Sequence, residues 1–250
     1  MKKFFNMIAL LLFITGVQAS CNKEDSPVTS PRQPEQTPAA AGTFAKGADI
    51  SWVTQLESEG QSFYDRNGGR TELMTLLKRD CHVDAVRLRV WVNPASGWNN
   101  TDDVLVKARR AAVLGLRVMI DFHFSDSWAD PGQQTVPAAW AGYDLPQMKT
   151  AVAAHVTSVL TKLKSFGITP EWVQVGTGML WPLGSIDNGS NYAELTNAGY
   201  DAVKGVFPGA KVIVHIDCGD NLAFYTRVFD YMRQYGGKYD VIGMSLYPEK

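Results

Sequence analysis

Polar and aromatic residues recur along this sequence, each time at the end of a short β-branched or apolar run or directly after it. In parallel α/β barrels the carboxyl ends of the strands meet on one face, and active sites are built there. Regular recurrence at that position predicts a functional rim. The residues concerned are Trp52, Arg87, Arg89, Trp91, Asn93, Asp121, His123, Ser125, Asp126, Trp128, Asp130, Trp181, His215, Asp217, Ser245 and Tyr247.

The segment from 121 to 130 allows two interpretations. Asp121, His123, Asp126 and Asp130 are residue types that bind metal ions. The same segment carries Trp128, and indole rings stack on sugar faces while Asp, Asn and His bind the hydroxyls. We favour sugar binding over a metal site and predict no cofactor, since the phosphate-loop, dinucleotide, GxSxG and paired CxxC motifs are absent.

Several of the individual residues also have purely structural explanations. Arg87 and Arg89 alternate with apolar residues, so a buried ion pair explains them as well as a substrate contact does. His155 lies on the apolar stripe of a predicted helix, which is typical of a packed core histidine, and Trp172 fits a core position. His82 precedes a strand, and no role is predicted for it.

Strands and helices alternate from residue 47 onward. We predict strands at 47–52, 84–92, 116–124, 172–176, 211–217 and 241–247, and helices at 69–79, 102–114, 146–166, 192–206 and 221–235. Asp144 with Pro146, and Asp220, mark two helix starts. This alternation implies a parallel sheet covered by helices, in a barrel or an open doubly wound sheet.

The composition excludes several functional classes. Of the 250 residues 45% are hydrophobic and 20% are charged, which is typical of a globular protein. A net charge of -1 gives no field for nucleic acid, and a neutral substrate fits better.

The N-terminus is typical of an exported protein. Lys2 and Lys3 precede an apolar run that is too short for a comfortable membrane span, so we predict a signal peptide at 1–20. Either ordinary cleavage after Ala19 or lipid attachment at Cys21 fits, and we favour a lipid anchor that holds the protein at the cell surface or in the periplasm. Residues 21–43 have the composition of a disordered tether, leaving 44–250 as the folded domain.

Cys81 and Cys218 are the cysteines that remain after Cys21. An exported protein could pair them, although separate free thiols are the simpler expectation.

Several motifs resemble glycoside hydrolase family 53. The longest is Asp-Phe-His-Phe-Ser-Asp-Ser-Trp-Ala-Asp-Pro-Gly at 121–132, and the others lie at 47–52, 87–94, 172–176, 178–182 and 241–248. The resemblance covers about 44–250 and implies an eight-stranded β/α barrel, of which about six strands are expected here. It also implies retaining endo-hydrolysis of β-1,4-galactosidic bonds in pectic (arabino)galactan. The substrate-binding residues that it implies are Asp49, Arg89, Trp91, Asn93, Asp121, His123, Trp128, Trp181, His215 and Tyr247.

The sequence departs from the family where catalysis takes place. Retaining glycosidases use two carboxylates, a general acid/base and a nucleophile that Arg89 would orient. In the family the acid/base Glu follows an Asn directly after the fourth strand, whereas here Gly176 is followed by Thr177. The nucleophile is expected on a seventh strand, beyond Lys250. We therefore predict no catalytic residue in this chain and hold open a non-catalytic galactan-binding surface lipoprotein.

Overall fold

The fold is described by a computed structural model that covers residues 44–130, 133–177 and 188–247. The predicted signal peptide, tether and Cys21 lie outside the described residues, as does Trp181. Within the described ranges, no helix combines the length and the apolar character needed to cross a membrane.

Six parallel strands form one sheet in the order in which they occur along the chain. This is the strand order of a β/α barrel and it confirms the predicted fold class, with the sheet curled as part of a barrel. The strands are β1 (Gly47–Asp49), β2 (Ala85–Val90), β3 (Arg117–Phe122), β4 (Trp172–Val175), β5 (Lys211–Ile216) and β6 (Val241–Met244).

Helices follow each of the first five strands and cover the sheet. They are α1 (Val53–Ser58), α2 (Leu73–Cys81), α3 (Thr101–Val113), α4 (Leu145–Ser165), α5 (Gly189–Val206) and α6 (Leu222–Gln234), with a 3-10 turn at Ala138–Trp140. The start of α4 is fixed by a capping box, in which the Asp144 side chain and the Gln147 side chain each accept the other's backbone amide.

The core lies between the outer face of the sheet and the inner stripes of the helices. Val173 and Val175 of β4, Val156 of α4 and Val203 of α5 are all buried in it. Each fully buried side chain of this size contributes about 1.5–3 kcal/mol. A Cβ atom on Gly199 of α5 would lie 2.2 Å from Val175 Cγ1, so the close contact of α5 with β4 requires glycine there.

The structure corrects several predicted boundaries. β1 ends at Asp49, so Trp52 follows the strand and caps α1, a short helix that the apolar pattern did not predict. Helix α2 begins at Leu73 instead of Gly69, because Arg70 is held in a bridge to Tyr64. Asn221, not Asp220, caps α6, since its side chain accepts the Phe224 amide.

Cys81 and Cys218 do not form a disulfide bond. Both are exposed free thiols, which confirms the simpler expectation, and the alternative in which they pair is wrong.

Candidate functional site

The sheet curls so that polar side chains from its first four strands meet at the carboxyl end, which we call the mouth. Arg87 of β2 contacts Asp49 of β1 through Nη1 at 2.9 Å and Asp121 of β3 through Nη2 at 2.6 Å. It also donates to Gln174 Oε1 of β4 at 3.3 Å. Arg87 thus takes the ion-pair role that the sequence left open.

Asp121 is the buried centre of this network. His123 Nε2 lies 2.9 Å from its Oδ2. Burial by itself would raise the pKa of Asp121, but His123 and Arg87 outweigh burial and lower the pKa to about 2. Asp121 is therefore a fixed negative charge at neutral pH and accepts hydrogen bonds only.

The exit of β4 carries a hydroxyl group and an amide. Gly176 has φ 87°, a conformation that glycine adopts readily, and it turns Thr177 back toward the mouth. Thr177 Oγ1 donates to Asp121 Oδ1 at 3.3 Å, and Gln174 Nε2 donates to Thr177 Oγ1 at 3.0 Å. Directly after the fourth strand, where the resemblance implies an Asn-Glu pair, the described chain places the neutral hydroxyl group of Thr177.

Arg89 lies next to this network, within a cage of three tryptophans. Its Cζ is 4.5 Å from the ring centroid of Trp52, 5.0 Å from that of Trp91 and 4.6 Å from that of Trp128. Only 1% of Arg89 is exposed, and burial lowers its pKa although Asp49 and Asp121 oppose the shift. Trp52 and Trp128 are 39% and 44% exposed, so the cage presents two indole rings to the solvent.

A buried lysine on α3 holds the chain segment that leads into the tryptophan cage. Lys107 Nζ of α3 donates to Ser51 O, Asn99 Oδ1 and Asp103 Oδ2, each at 2.8 Å. Ser51 Oγ in turn donates to Asp49 Oδ1 at 2.6 Å and accepts the Arg89 amide at 2.9 Å. Lys107 therefore fixes the backbone that leads into Trp52.

The last two strands add a second polar pair to the mouth. His215 Nε2 of β5 lies 2.8 Å from Ser245 Oγ, just after β6. Burial lowers the pKa of His215, with Asp217 acting in the opposite direction, so the ring is neutral near pH 7. Tyr247, two residues further, is exposed.

The acidic residues of the loop after β3 bind backbone amides and an indole ring of the neighbouring loops. Asp126 accepts the backbone amides of Asn93 and Ala138, both at 2.9 Å, and Asp130 accepts Trp128 Nε1 at 3.0 Å. These carboxylates position loops and an indole ring instead of converging with Asp121. Among the described residues, no group of three His, Cys, Asp or Glu side chains is arranged to hold a metal ion.

Most of the predicted site residues lie at the mouth. Asp49, Asp121 and His123 share the ion-pair network, Trp91 and Trp128 surround Arg89, and His215 lies two strands away from β3. Asn93 is exposed on a loop, where its backbone amide makes the observed contact.

For His155 and Trp172 the sequence favoured a structural role, and for His82 it predicted no role. His155 packs edge-on against Phe122, Phe124 and Trp140, which confirms the core histidine. Trp172 is only partly buried and lies 4.4 Å from the Arg117 guanidinium. His82 ends α2 in a left-handed conformation.

Four residues of the site were not predicted: Ser51, Lys107, Gln174 and Thr177. Gln174 had a signal, because it alternates with Val173 and Val175 as Arg87 and Arg89 alternate with their apolar neighbours. Lys107 lies four residues after Asp103, a spacing that is equally typical of a surface ion pair.

The arrangement suits a neutral polyhydroxylated ligand. It offers an exposed carboxylate at Asp49, a neutral imidazole at His215 and exposed indole faces at Trp52 and Trp128, all held around buried Asp121. Hydroxyl groups pair with the polar atoms, and the C–H faces of a pyranose stack on the rings.

Comparison with known proteins gives a consistent result. Residues 45–250 match the model of glycosyl hydrolase family 53. The chain is 36% identical over 213 residues to an arabinogalactan endo-β-1,4-galactanase of Thermothelomyces thermophilus, covering 81% of this chain and 64% of the relative.

Two solved structures are similar in fold and sequence. A fungal β-1,4-galactanase superposes with a TM-score of 0.78 at 34% identity, covering 82% of this chain and 64% of the other. A family 53 catalytic domain from Ignisphaera aggregans gives 0.77 at 33% identity, with coverages of 87% and 63%. The chain spans about six tenths of the length of these relatives.

Proposed function

Because this chain belongs to glycosyl hydrolase family 53, we propose that its mouth binds β-1,4-linked galactan, the polymer whose endo-hydrolysis the names of its relatives describe. The observation that carries the proposal is the Asp49–Arg87–Asp121 ion-pair network, centred on buried Asp121, beside two exposed indole rings. Galactan is uncharged, in keeping with a net charge of -1.

We also propose that this chain binds galactan without cleaving it. The observation that favours this second function is the end of β4, where Thr177 follows Gly176 and donates to Asp121, in place of the Asn-Glu pair that the family resemblance implies there. A hydroxyl group does not release a proton to a leaving oxygen near neutral pH, whereas a carboxylic acid with a raised pKa does.

Binding is tested by tryptophan fluorescence titration of the full chain with β-1,4-galactotetraose. We expect saturable binding that Trp128→Ala weakens about tenfold or more, because this change removes one exposed stacking face. Trp172→Ala is the matched control, since Trp172 lies at the opposite end of the strands. Absence of binding to galactotetraose, with binding to β-1,4-linked glucose or xylose oligomers, would make the galactan assignment wrong.

Turnover is tested by reducing-sugar release from β-1,4-galactan. We expect none from the chain as it stands, and we compare it with a version in which Asn-Glu is inserted after Gly176 and with an intact family member. Activity of the unmodified chain equal to that of the intact member would refute binding without cleavage.

Finally, we propose that the protein is exported and lipid-anchored at Cys21. Support comes from the Lys2-Lys3 pair, the apolar run that follows and the small residues before the cysteine. Labelled palmitate supplied to a bacterial host should enter the chain and should not enter Cys21→Ala. An unacylated mature N-terminus of the parent chain, measured by mass spectrometry, would contradict the anchor.

A further inference from the structure

A chain of hydrogen bonds runs from the exposed indole ring of Trp128 to the buried carboxylate of Asp121. Trp128 Nε1 donates to Asp130 Oδ2 at 3.0 Å, and Asp130 O accepts Gln134 Nε2 at 2.9 Å. Gln134 Nε2 also donates to Thr177 O, just after β4, at 3.2 Å, and Thr177 Oγ1 donates to Asp121. Gln134 therefore links the loop after β3 to the end of β4.

The side-chain amide of Gln134 is fully used by its two contacts. A primary amide nitrogen carries two hydrogens. One contact is with Asp130 O in the same loop, and the other is with Thr177 O, 43 residues further along the chain. Both contacts are partly buried, and a hydrogen bond away from bulk water is electrostatically stronger than one in water. Gln134 thus sets the distance between two separate segments of the mouth.

Three further hydrogen bonds lie within what we call the Trp128 loop, residues 128–130 and 133–134. Asp130 and Gln133 exchange backbone hydrogen bonds at 3.1 and 2.9 Å, and Gln133 Nε2 donates to Trp128 O at 3.2 Å. These three contacts determine the shape of the loop. They do not determine where the loop lies relative to β4, because none of them reaches another strand or helix.

The position of the Trp128 loop decides where a stacking face lies at the mouth. The Trp128 ring stacks on Trp52 with ring centroids 6.5 Å apart and an interplanar angle of 18°, and 44% of Trp128 is exposed. Aromatic pairs accept a range of offset arrangements, so this ring contact alone leaves the lateral position of the indole open. The hydrogen bond from Trp128 Nε1 to Asp130 removes that freedom.

We propose that Gln134 is a positioning residue for sugar binding, because it holds the Trp128 ring at a fixed place relative to the end of β4. A pyranose that stacks on Trp128 must also bring its hydroxyl groups to the polar network around Asp121, and an error of about 1 Å in this spacing loses one set of contacts. The sugar rests on the proposed function. The link between Gln134 and Trp128 does not, and it is measured without ligand.

The link is tested by ¹H–¹⁵N NMR of the indole Nε1–H groups in the full chain, with the Trp128 signal identified by its loss in Trp128→Ala. Gln134→Met keeps the side-chain length and removes both donors. We expect the Trp128 signal to shift and to exchange with water at least about threefold faster, because its acceptor Asp130 is held less firmly. Gln61→Met, at an exposed glutamine, is the matched control and should leave the signal unchanged. An unchanged Trp128 signal in Gln134→Met would overturn the proposal.

A double-mutant cycle measures the effect on sugar binding. Affinity for β-1,4-galactotetraose, measured by isothermal titration calorimetry, should fall about fivefold in Gln134→Met and should not fall further when Gln134→Met is added to Trp128→Ala. Equal losses in both backgrounds would refute positioning through Trp128. If the parent chain binds no galactotetraose while the Trp128 signal responds to Gln134→Met, the proposed function is wrong and the link between the two residues stands.

Urea denaturation separates positioning from a loss of folding. Gln134 is only partly buried, so Gln134→Met should unfold cooperatively, as the parent chain does. Should the variant fail to fold, the parent chain still decides the matter. Titration with galactotetraose should shift the Gln134 side-chain amide signals and the Trp128 indole signal with the same midpoint, and a Gln134 signal that stays in place would overturn the proposal.

Discussion

Two arginines stacked on tryptophans lie at opposite ends of the same sheet, and their surroundings differ. At the amino end, Arg117 lies 4.4 Å from the ring of Trp172, and its paired donors are held by Glu171. At the mouth, Arg89 lies among three rings, and the corresponding donors have no partner among the described residues.

The difference extends beyond the arginines. Trp91 Nε1, His123 Nδ1 and His215 Nδ1 are also buried without a partner in the described part of the chain, and all three lie at the mouth. One end of the barrel neutralises its own charges, and the other retains unmatched donors and acceptors. This is the division between a face that stabilises a β/α barrel and a face that binds its ligand.

The largest expected effect is at Asp121. Asp121→Asn should lower the free energy of unfolding at pH 7 by about 3–5 kcal/mol, because it removes the fully buried carboxylate that pairs with Arg87 and is hydrogen-bonded to His123. Urea denaturation followed by circular dichroism measures the loss. A cost below about 1 kcal/mol would mean that the mouth does not depend on this pair.

Asp121 also predicts a pH dependence. Its pKa of about 2 lies below the unfolded value of 3.8, so its stabilisation is complete above pH 4 and is lost as the pH falls toward 2. Asp121→Asn should lack that loss. The parent chain and the variant are compared by urea denaturation between pH 4 and pH 2.

The next effect is at His155, behind the mouth. Burial lowers the pKa of His155 to about 4, so the folded state favours the neutral ring. The free energy of unfolding should fall by about 3 kcal/mol as the pH drops from 6.5 to 4, because in this range the unfolded chain binds a proton at His155 more readily than the folded chain does. His155→Phe should flatten that slope. An unchanged slope in the variant would assign the acid sensitivity to other groups.

Lys107 tests whether the hydrogen bonds to the backbone before Trp52 stabilise the mouth. Lys107→Met should cost about 2 kcal/mol, because it leaves Ser51 O and Asn99 Oδ1 buried without their donor. It should also shift the tryptophan emission, since Ser51 precedes Trp52. Lys162→Met, which removes a surface pair with Asp102, is the control and should change neither quantity measurably.

The sequence predicts the secondary-structure elements better than it predicts the side-chain contacts between them. All six strands and five of the helices follow from apolar periodicity, because burying a period of two or of 3.6 residues dictates the element. Helix α1 has six residues and one buried position, too short to show a period. The partners of Arg87 were not predictable, since alternation places Arg87 and Arg89 on one face but does not say which carboxylates lie opposite.

The smallest expected effect is at Glu171, at the amino end of the strands. Glu171→Ala should cost only about 1 kcal/mol, since Glu171 is partly exposed and its bond to Arg117 is screened by solvent. The variant removes the carboxylate that Arg117 Nε and Nη2 contact, while Arg117 stays beside Trp172. Its Nε–H signal should then respond to acetate in NMR, while galactan affinity stays unchanged. If the Arg117 signal still does not move, stacking on a tryptophan with an open edge is not sufficient to bind a carboxylate.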